Sequence, residues 1–295
     1  MVDTTADERR SSLAVSGHTE TALASSSRLL EALRAIGIGL VVPSLFVLIW
    51  WLTVAAGVFP ESVLPSPVTV VKSLWIWGFG NKEDHGLYAG TLSLAVMASG
   101  ARVIVGYTIA AVLGIAIGVP TGASRVIGQL IDPFIQLMRP IPITAWVPLS
   151  LIFFGFDFKN AVFLVALGSF FPIVVNTIEG VRGVNKSLVK VGRMVGARRL
   201  KLLWFFILPA SLPSIFVGLR LGIGLAWVLV IVAELLSVKN GIGYTLLDAY
   251  SFNRFDVVIA AMIMLGVMGF LSDRIILGIQ KIFLRWHHEV SIHAE

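Results

Sequence analysis

Few side chains in this sequence have the type and spacing needed for chemistry. Cysteine is absent, which removes disulfides, thiolate metal sites and a thiol nucleophile. The histidines, His18, His85, His287, His288 and His293, all fall outside the long apolar runs. No His-Glu-x-x-His, no Gly-x-Ser-x-Gly and no pair of intramembrane aspartates occurs, so an intramembrane protease or acyltransferase would lack its reacting groups. The segment from Gly180 to Ser187, GVRGVNKS, approaches the phosphate-binding pattern G-x-x-x-x-G-K-S. Asn185 replaces the second glycine, an apolar run rather than a strand precedes it, and no acidic Mg²⁺ ligand stands at a strand end. The chain is therefore read as non-catalytic, with no metal and no cofactor.

What remains is a set of ionisable residues inside apolar sequence: Arg102, Asp132, Arg139, Glu179, Arg220 and Glu234. A charge at membrane depth marks either a buried pair or a polar pathway. Three are basic and three acidic, so mutual pairing is the first expectation. Arg220 and Glu234 lie too far apart on one helix to pair, about 21 Å at 1.5 Å per residue, so each needs a partner on another element. The alternative makes Arg102, Arg220 and Glu234 pathway residues, with Arg102 or Arg220 facing a cavity and attracting an anion. The guanidinium fork suits sulfonate, carboxylate or nitrate oxygens. Tyr107, Trp146 and Trp227 are expected to pack rather than to line a path.

The elements that hold these charges follow from composition. The chain is 57% hydrophobic and only 14% charged, too few charges to cover a soluble domain, in which roughly a quarter of residues are charged. A helix needs about 20 apolar residues to cross a bilayer core roughly 30 Å thick. Backbone groups in lipid must pair internally, so runs of this length are helices. The fold class is all-α and polytopic, with six crossings centred in 36–59, 87–121, 127–156, 160–178, 208–238 and 257–282. The third contains Pro140, Pro142 and Pro148 beside Arg139 and is expected to be broken. Lys and Arg in the short flanks number 13 on the side of the termini against 5 on the other, which predicts cytoplasmic termini and an external 82–86 segment. The net charge of +6 is thus a topology signal, and nucleic acid is not a partner. Residues 1–35 read as a mobile polar cytoplasmic tail, with a short helix over 27–35, and 36–286 as the membrane domain, followed by a short cytoplasmic tail over 287–295. The first apolar run is longer than a signal-peptide core and reads as an anchor.

Gly106, Ala110, Gly114, Gly118 and Gly122 recur every fourth residue in the second run, a face that another helix can approach closely. Gly218, Gly222 and Ala226 form a second such stripe. Packing inside the bundle is the reading preferred over a moving gate.

Between the fourth and fifth runs lies RGVNKSLVKVGRMVGARRLKLLWFFILPASLP, from Arg182 to Pro213. Its first part is an amphipathic helix with Leu188, Val191 and Val195 on one side. Gly196 then supplies a positive φ that joins it to a second helix beginning near Arg198. On that helix Leu200, Leu203, Trp204 and Ile207 recur at helical spacing.

This loop resembles the signature of the permeases of binding-protein-dependent ABC importers, usually Glu-Ala-Ala, three residues, Gly, then about nine residues to Ile-x-Leu-Pro or Ile-Leu-Pro. Gly196 matches the glycine, and Ile207, Leu208 and Pro209 match the end. Lys190, Val191 and Gly192 stand where Glu-Ala-Ala is typical. VLPSPVTV, LIDPFIQLMRPIPITAWVPLSLIFFGF and GIGYTLLDA extend the resemblance to the branch serving taurine, aliphatic sulfonates and nitrate. The resemblance implies the type I importer permease fold and a homodimer of this chain. It also implies two ABC ATPase subunits docked on coupling helices that include Lys190, Val191, Gly192, Arg193, Gly196, Ala197, Arg198 and Ile207-Leu208-Pro209. A periplasmic or lipid-tethered binding protein would deliver a small anionic solute across the bacterial inner membrane. An ion-coupled carrier acting without an ATPase is the alternative. It would show inverted sequence halves and several pathway carboxylates, and no repeat is visible.

Overall fold

The computed structural model describes Arg34 and residues 37–284. The tails expected over 1–35 and 287–295 lie, Arg34 apart, outside the described residues. Every regular element among the described residues is helical, and the chain divides into two units, Met1–Pro67 and Val68–Glu295.

In the first unit α1 spans Gly37–Ala55. It is apolar on all sides, and nearly all of its side chains are exposed within the unit, as expected of a helix whose solvent is lipid. Gly57, at φ 69°, turns the chain after it. The indole N–H of Trp50 donates to the Pro65 carbonyl at 3.1 Å and folds the following segment back on the helix end.

The second unit begins with α2 (Pro67–Phe79) and the single turn α3 (Lys82–His85), then continues through α4 (Leu92–Ala123) and α5 (Arg125–Met138). A 3-10 turn (Ile143–Trp146) leads into α6 (Val147–Phe154), followed by α7 (Phe158–Arg182). The remaining elements are α8 (Lys186–Met194), α9 (Arg199–Leu202), a π-helical turn (Leu203–Ile207), α10 (Leu208–Ser237), α11 (Ile242–Ser251) and α12 (Phe255–Phe283).

Helix α7 is the axis, and the two small-residue stripes explain why. A Cβ on Gly106 would lie 2.8 Å from Val165, on Gly114 2.8 Å from Ile173, on Gly118 2.7 Å from Thr177 and on Gly122 2.7 Å from Val181. Each contact advances in step with its glycine, so α4 and α7 run parallel with their backbones nearly touching. The stripe on α10 meets the other side of α7. A Cβ on Gly218 would strike Asn176 at 2.8 Å, and one on Gly222 would strike Ile173 at 2.9 Å. Here the order reverses, so α10 is antiparallel to α7. Both stripes are packing faces, as the sequence pattern led us to expect.

Because α4 and α7 are parallel, the chain between them has to return across the bundle. It does so in two pieces: α5 and the segment Ile143–Phe154 meet at a bend of 90°. The residues at the break carry the expected prolines, Pro140 and Pro142. Among the described residues five single helices are long and apolar enough to span a membrane, six if the bent pair is one broken span. Ile135 of α5 packs on Val174 and Ile178 of α7, while Val147 of α6 packs with Ala161, Leu164 and Ala233. Helices α2, α3 and α11 have no counterpart among the sequence expectations, and the helix expected from near Arg198 is realised as α9 and the π turn.

Candidate functional site

Arg102 and Glu234 pair with each other. Arg102 on α4 donates to the Glu234 carboxylate on α10 at 2.6 Å, and both residues are buried. The other guanidinium contacts go to Asn240, through its carbonyl at 3.0 Å and through its side-chain oxygen. Glu234 also accepts from the Ser99 hydroxyl at 2.9 Å and from the Gly243 amide at 2.8 Å. Ser99 in turn accepts the Ile242 amide at 2.9 Å. The carboxylate therefore sits on the first amides of α11, where a helix favours negative charge. Gly241 makes this possible: its φ is 115°, and a Cβ there would lie 2.4 Å from the Glu234 carboxylate. The result is a polar clasp joining α4, α10 and α11, complete around the carboxylate, with the Nε of Arg102 buried and without a partner among the described residues. Beside it a cavity of about 630 Å³ is lined by Tyr88, Thr91, Lys239, Tyr244 and Asp248. Tyr88 donates to Asp248 at 2.7 Å. Burial and then that carboxylate raise the pKa of the phenol and keep it a donor.

The remaining charges depart from simple mutual pairing. Arg220 binds Asp273 of α12 through two contacts of 2.8 and 3.2 Å. Asp132 binds Arg182 at the end of α7 at 2.5 Å. Neither partner was among the six charges singled out in sequence. Asp273 lies inside the sixth crossing, 257–282, but was not counted among its charges, and Arg182 opens the basic loop beyond the fourth. Arg139 and Glu179 do not pair within the described residues. They line a cavity of about 270 Å³ together with Asp132, Gln136 and Arg182. A second cavity, of about 790 Å³, shares Asp132 and Arg182 and extends to Lys186, Val189 and Ile207. The Asp132–Arg182 pair thus stands where the two cavities meet. Tyr107 donates to the Leu219 carbonyl at 3.0 Å and Trp227 to Ser272 at 2.9 Å. Trp146 packs beside Val147. Tyr107 and Trp227 thus tie helices together, whereas the indole N–H of Trp146 is buried without a partner among the described residues.

The loop forms the helix-glycine-helix that its sequence specifies. Asn185, the residue that spoils the phosphate-binding pattern, is the N-cap of α8: its side chain accepts the Ser187 amide at 2.8 Å. Gly196 has φ 79°. The Ala197 amide returns to the Gly192 carbonyl and the Gly196 amide to that of Arg193, both at 3.0 Å, which is the Schellman closure that favours glycine. A Cβ on Gly196 would meet nothing within 4 Å, so only the backbone conformation demands glycine. Gly192 is the opposite case. It is buried, and a Cβ there would lie 2.6 Å from Leu202 and 3.2 Å from Phe206. It lets α8 lie against α9 and the π turn. Around this hinge Lys190, Val191, Arg193 and Arg198 are exposed, while Ala197, Ile207, Leu208 and Pro209 are half-buried. Val195, Leu200 and Phe205 are each more than 70% exposed, so the loop presents an apolar surface ringed by basic groups.

A bundle of this topology, with a broken third crossing and a helix-glycine-helix between the fourth and fifth, defines an ABC importer permease. The chain belongs to the family of binding-protein-dependent transport system inner membrane components, matched over residues 110–285. SsuC of Bacillus subtilis, named for aliphatic sulfonates transport, is 35% identical over 250 residues, 85% of this chain and 87% of its own. The nitrate import permease protein NrtB of Synechocystis sp. is 34% identical over 235 residues, 80% of this chain and 85% of its own. The solved structure of the MetNI methionine ABC transporter, in inward-facing conformations, shares the fold. Its TM-score is 0.58 at 15% identity, over 65% of this chain and 95% of that one.

Proposed function

We propose that two copies of this chain form the pathway of an importer for a small oxyanion, with ATP hydrolysed by two separate subunits docked on the α8 to π-turn loop. The observation that carries this reading is the loop itself. Its apolar surface is finished in backbone terms, by the Asn185 cap and the Gly196 closure, yet is left uncovered beside Lys190, Arg193 and Arg198. The cavity that touches Ile207 and Lys186 also reaches the Asp132–Arg182 pair, giving motion of the loop a physical route into the membrane domain. Solute would come from a periplasmic or lipid-tethered binding protein, and relatives named for sulfonates and for nitrate support an oxyanion. The basic flanks support a bacterial inner membrane protein with both termini in the cytoplasm.

Purification of the tagged chain in detergent should bring down an ATP-hydrolysing subunit in equal amount. Reconstituted with the binding protein, the complex should take up solute only when ATP is supplied. A chain that purifies without such a subunit and transports on an ion gradient alone would overturn the reading. Topology is read separately with single cysteines. An impermeant thiol reagent applied outside should label the Glu83→Cys variant and spare Met194→Cys, and the reverse pattern would invert the orientation.

A further inference from the structure

Of the six charges within apolar sequence, the two that do not pair among the described residues, Arg139 and Glu179, line one cavity beside the break between α5 and α6. Asp132, Gln136 and Arg139 stand four and three residues apart on one face of α5. Asp132 is neutralised by Arg182. Gln136 and Arg139 are exposed, and neither side chain makes a hydrogen bond or ion pair with a described residue. Arg139 follows the last residue of α5, so it lies roughly 20 Å along the helix from its start. An unpaired guanidinium facing the hydrocarbon of a bilayer is expensive, which favours a watered surface there over lipid. The backbone after it, through Pro140 and Pro142, is irregular and exposed. Irregular backbone at membrane depth persists only where protein covers it or water reaches it. An unpaired cation beside irregular backbone therefore points to water at this spot.

We infer that Arg139 lines the solute pathway and is the group that draws in the oxyanion, an assignment that rests on the permease reading and locates its charge selection. The other candidate arginines are occupied, Arg102 by Glu234 and Asn240 and Arg220 by Asp273. The cavity of about 270 Å³ beside Arg139 has room for roughly nine waters at about 30 Å³ each, enough for a sulfonate or nitrate with part of its hydration. Arg139 presents a planar fork to such a group. Glu179 lines the same cavity, and its field opposes that of Arg139.

The test uses the whole importer, and its labelling arm needs no knowledge of the solute. The Gln136→Cys variant of this cysteine-free chain is exposed to two methanethiosulfonate reagents of similar size, one ending in sulfonate and one in trimethylammonium. Labelling of this chain is timed in each nucleotide state. The introduced thiol should react, with the sulfonate reagent favoured. In the Gln136→Cys background, Arg139→Gln should lower the sulfonate-to-ammonium rate ratio by at least about threefold, Arg139→Lys should restore it, and Glu179→Gln should raise it. Opposite signs for two neighbouring charges report a local field, which a merely structural role would not produce. A thiol at this position that stays unreactive in every state is covered by lipid or by a second copy, and that result overturns the proposal. So does a ratio indifferent to Arg139→Gln. If the parent complex shows no ATP-dependent uptake, the permease reading itself has failed. A parent that transports while Gln136→Cys gives either adverse result refutes the Arg139 assignment alone.

Discussion

The clasp around Glu234 and the loop around Gly196 lie at opposite ends of α10, about 40 Å apart along its axis. They handle polar and apolar groups in opposite ways. At the clasp, charges are buried and each carboxylate oxygen has a donor within the protomer. At the loop, cations stay in the open and apolar side chains are left uncovered. A region whose carboxylate is fully bonded within the fold holds the fold together, whereas one that leaves apolar surface in the open suits contact with another molecule. Substitutions at the first should therefore act on stability, and substitutions at the second on assembly and transport.

The largest effect is expected at the clasp. Arg102→Ala or Glu234→Ala leaves a buried charge without its partner, a loss of roughly 3–5 kcal/mol, and thermal unfolding in detergent should show it as a large fall in Tm or loss of the folded protein. Replacing both together, Arg102→Met with Glu234→Leu, should recover much of that stability. If the single variants are as stable as the parent, the clasp is not what holds α11 in place. Gly241→Ala should follow, because it adds a positive-φ cost of roughly 1–2 kcal/mol to a contact of 2.4 Å with the Glu234 carboxylate. At the loop, Gly192→Ala forces Leu202 and Phe206 aside, at about 1–3 kcal/mol for overpacking. The melting temperature of the membrane domain should hardly move while ATPase binding weakens. Asp132→Asn makes the sharpest contrast with the clasp. Its pair is half-exposed and worth within about 1 kcal/mol, so stability should be unchanged. Uptake should fall if the junction of the two cavities transmits the motion of the loop, and unchanged uptake would remove the pair from that route.

The sequence carried the helices and the loop, because apolar length and the position of Gly196 are local properties. The small-residue stripes were legible for the same reason: a period of four survives without any knowledge of the partner, here α7. Charge pairing was only half legible. That Arg220 and Glu234 needed partners elsewhere followed from helix rise, but Asp273 and Asn240 became partners through packing between elements far apart in sequence. The role of Gly241 was hidden, since its positive φ matters only once Glu234 arrives beneath it. The departure at Lys190-Val191-Gly192 became intelligible only when α9 and the π turn were seen to fold back on Gly192.

The central claim, that the Gly196 loop is where an ATPase subunit docks, is tested most directly by Gly196→Asp in the reconstituted importer. The residue is exposed and a Cβ there meets nothing within 4 Å, so the substitution disturbs only the left-handed turn, by roughly 1–2 kcal/mol, and whatever docks against it. The measurement is binding-protein-stimulated ATP hydrolysis beside solute uptake, with the melting temperature of the membrane domain as control. The account predicts a folded chain in which uptake and stimulated hydrolysis are abolished together. A variant that assembles, hydrolyses and transports like the parent would contradict it.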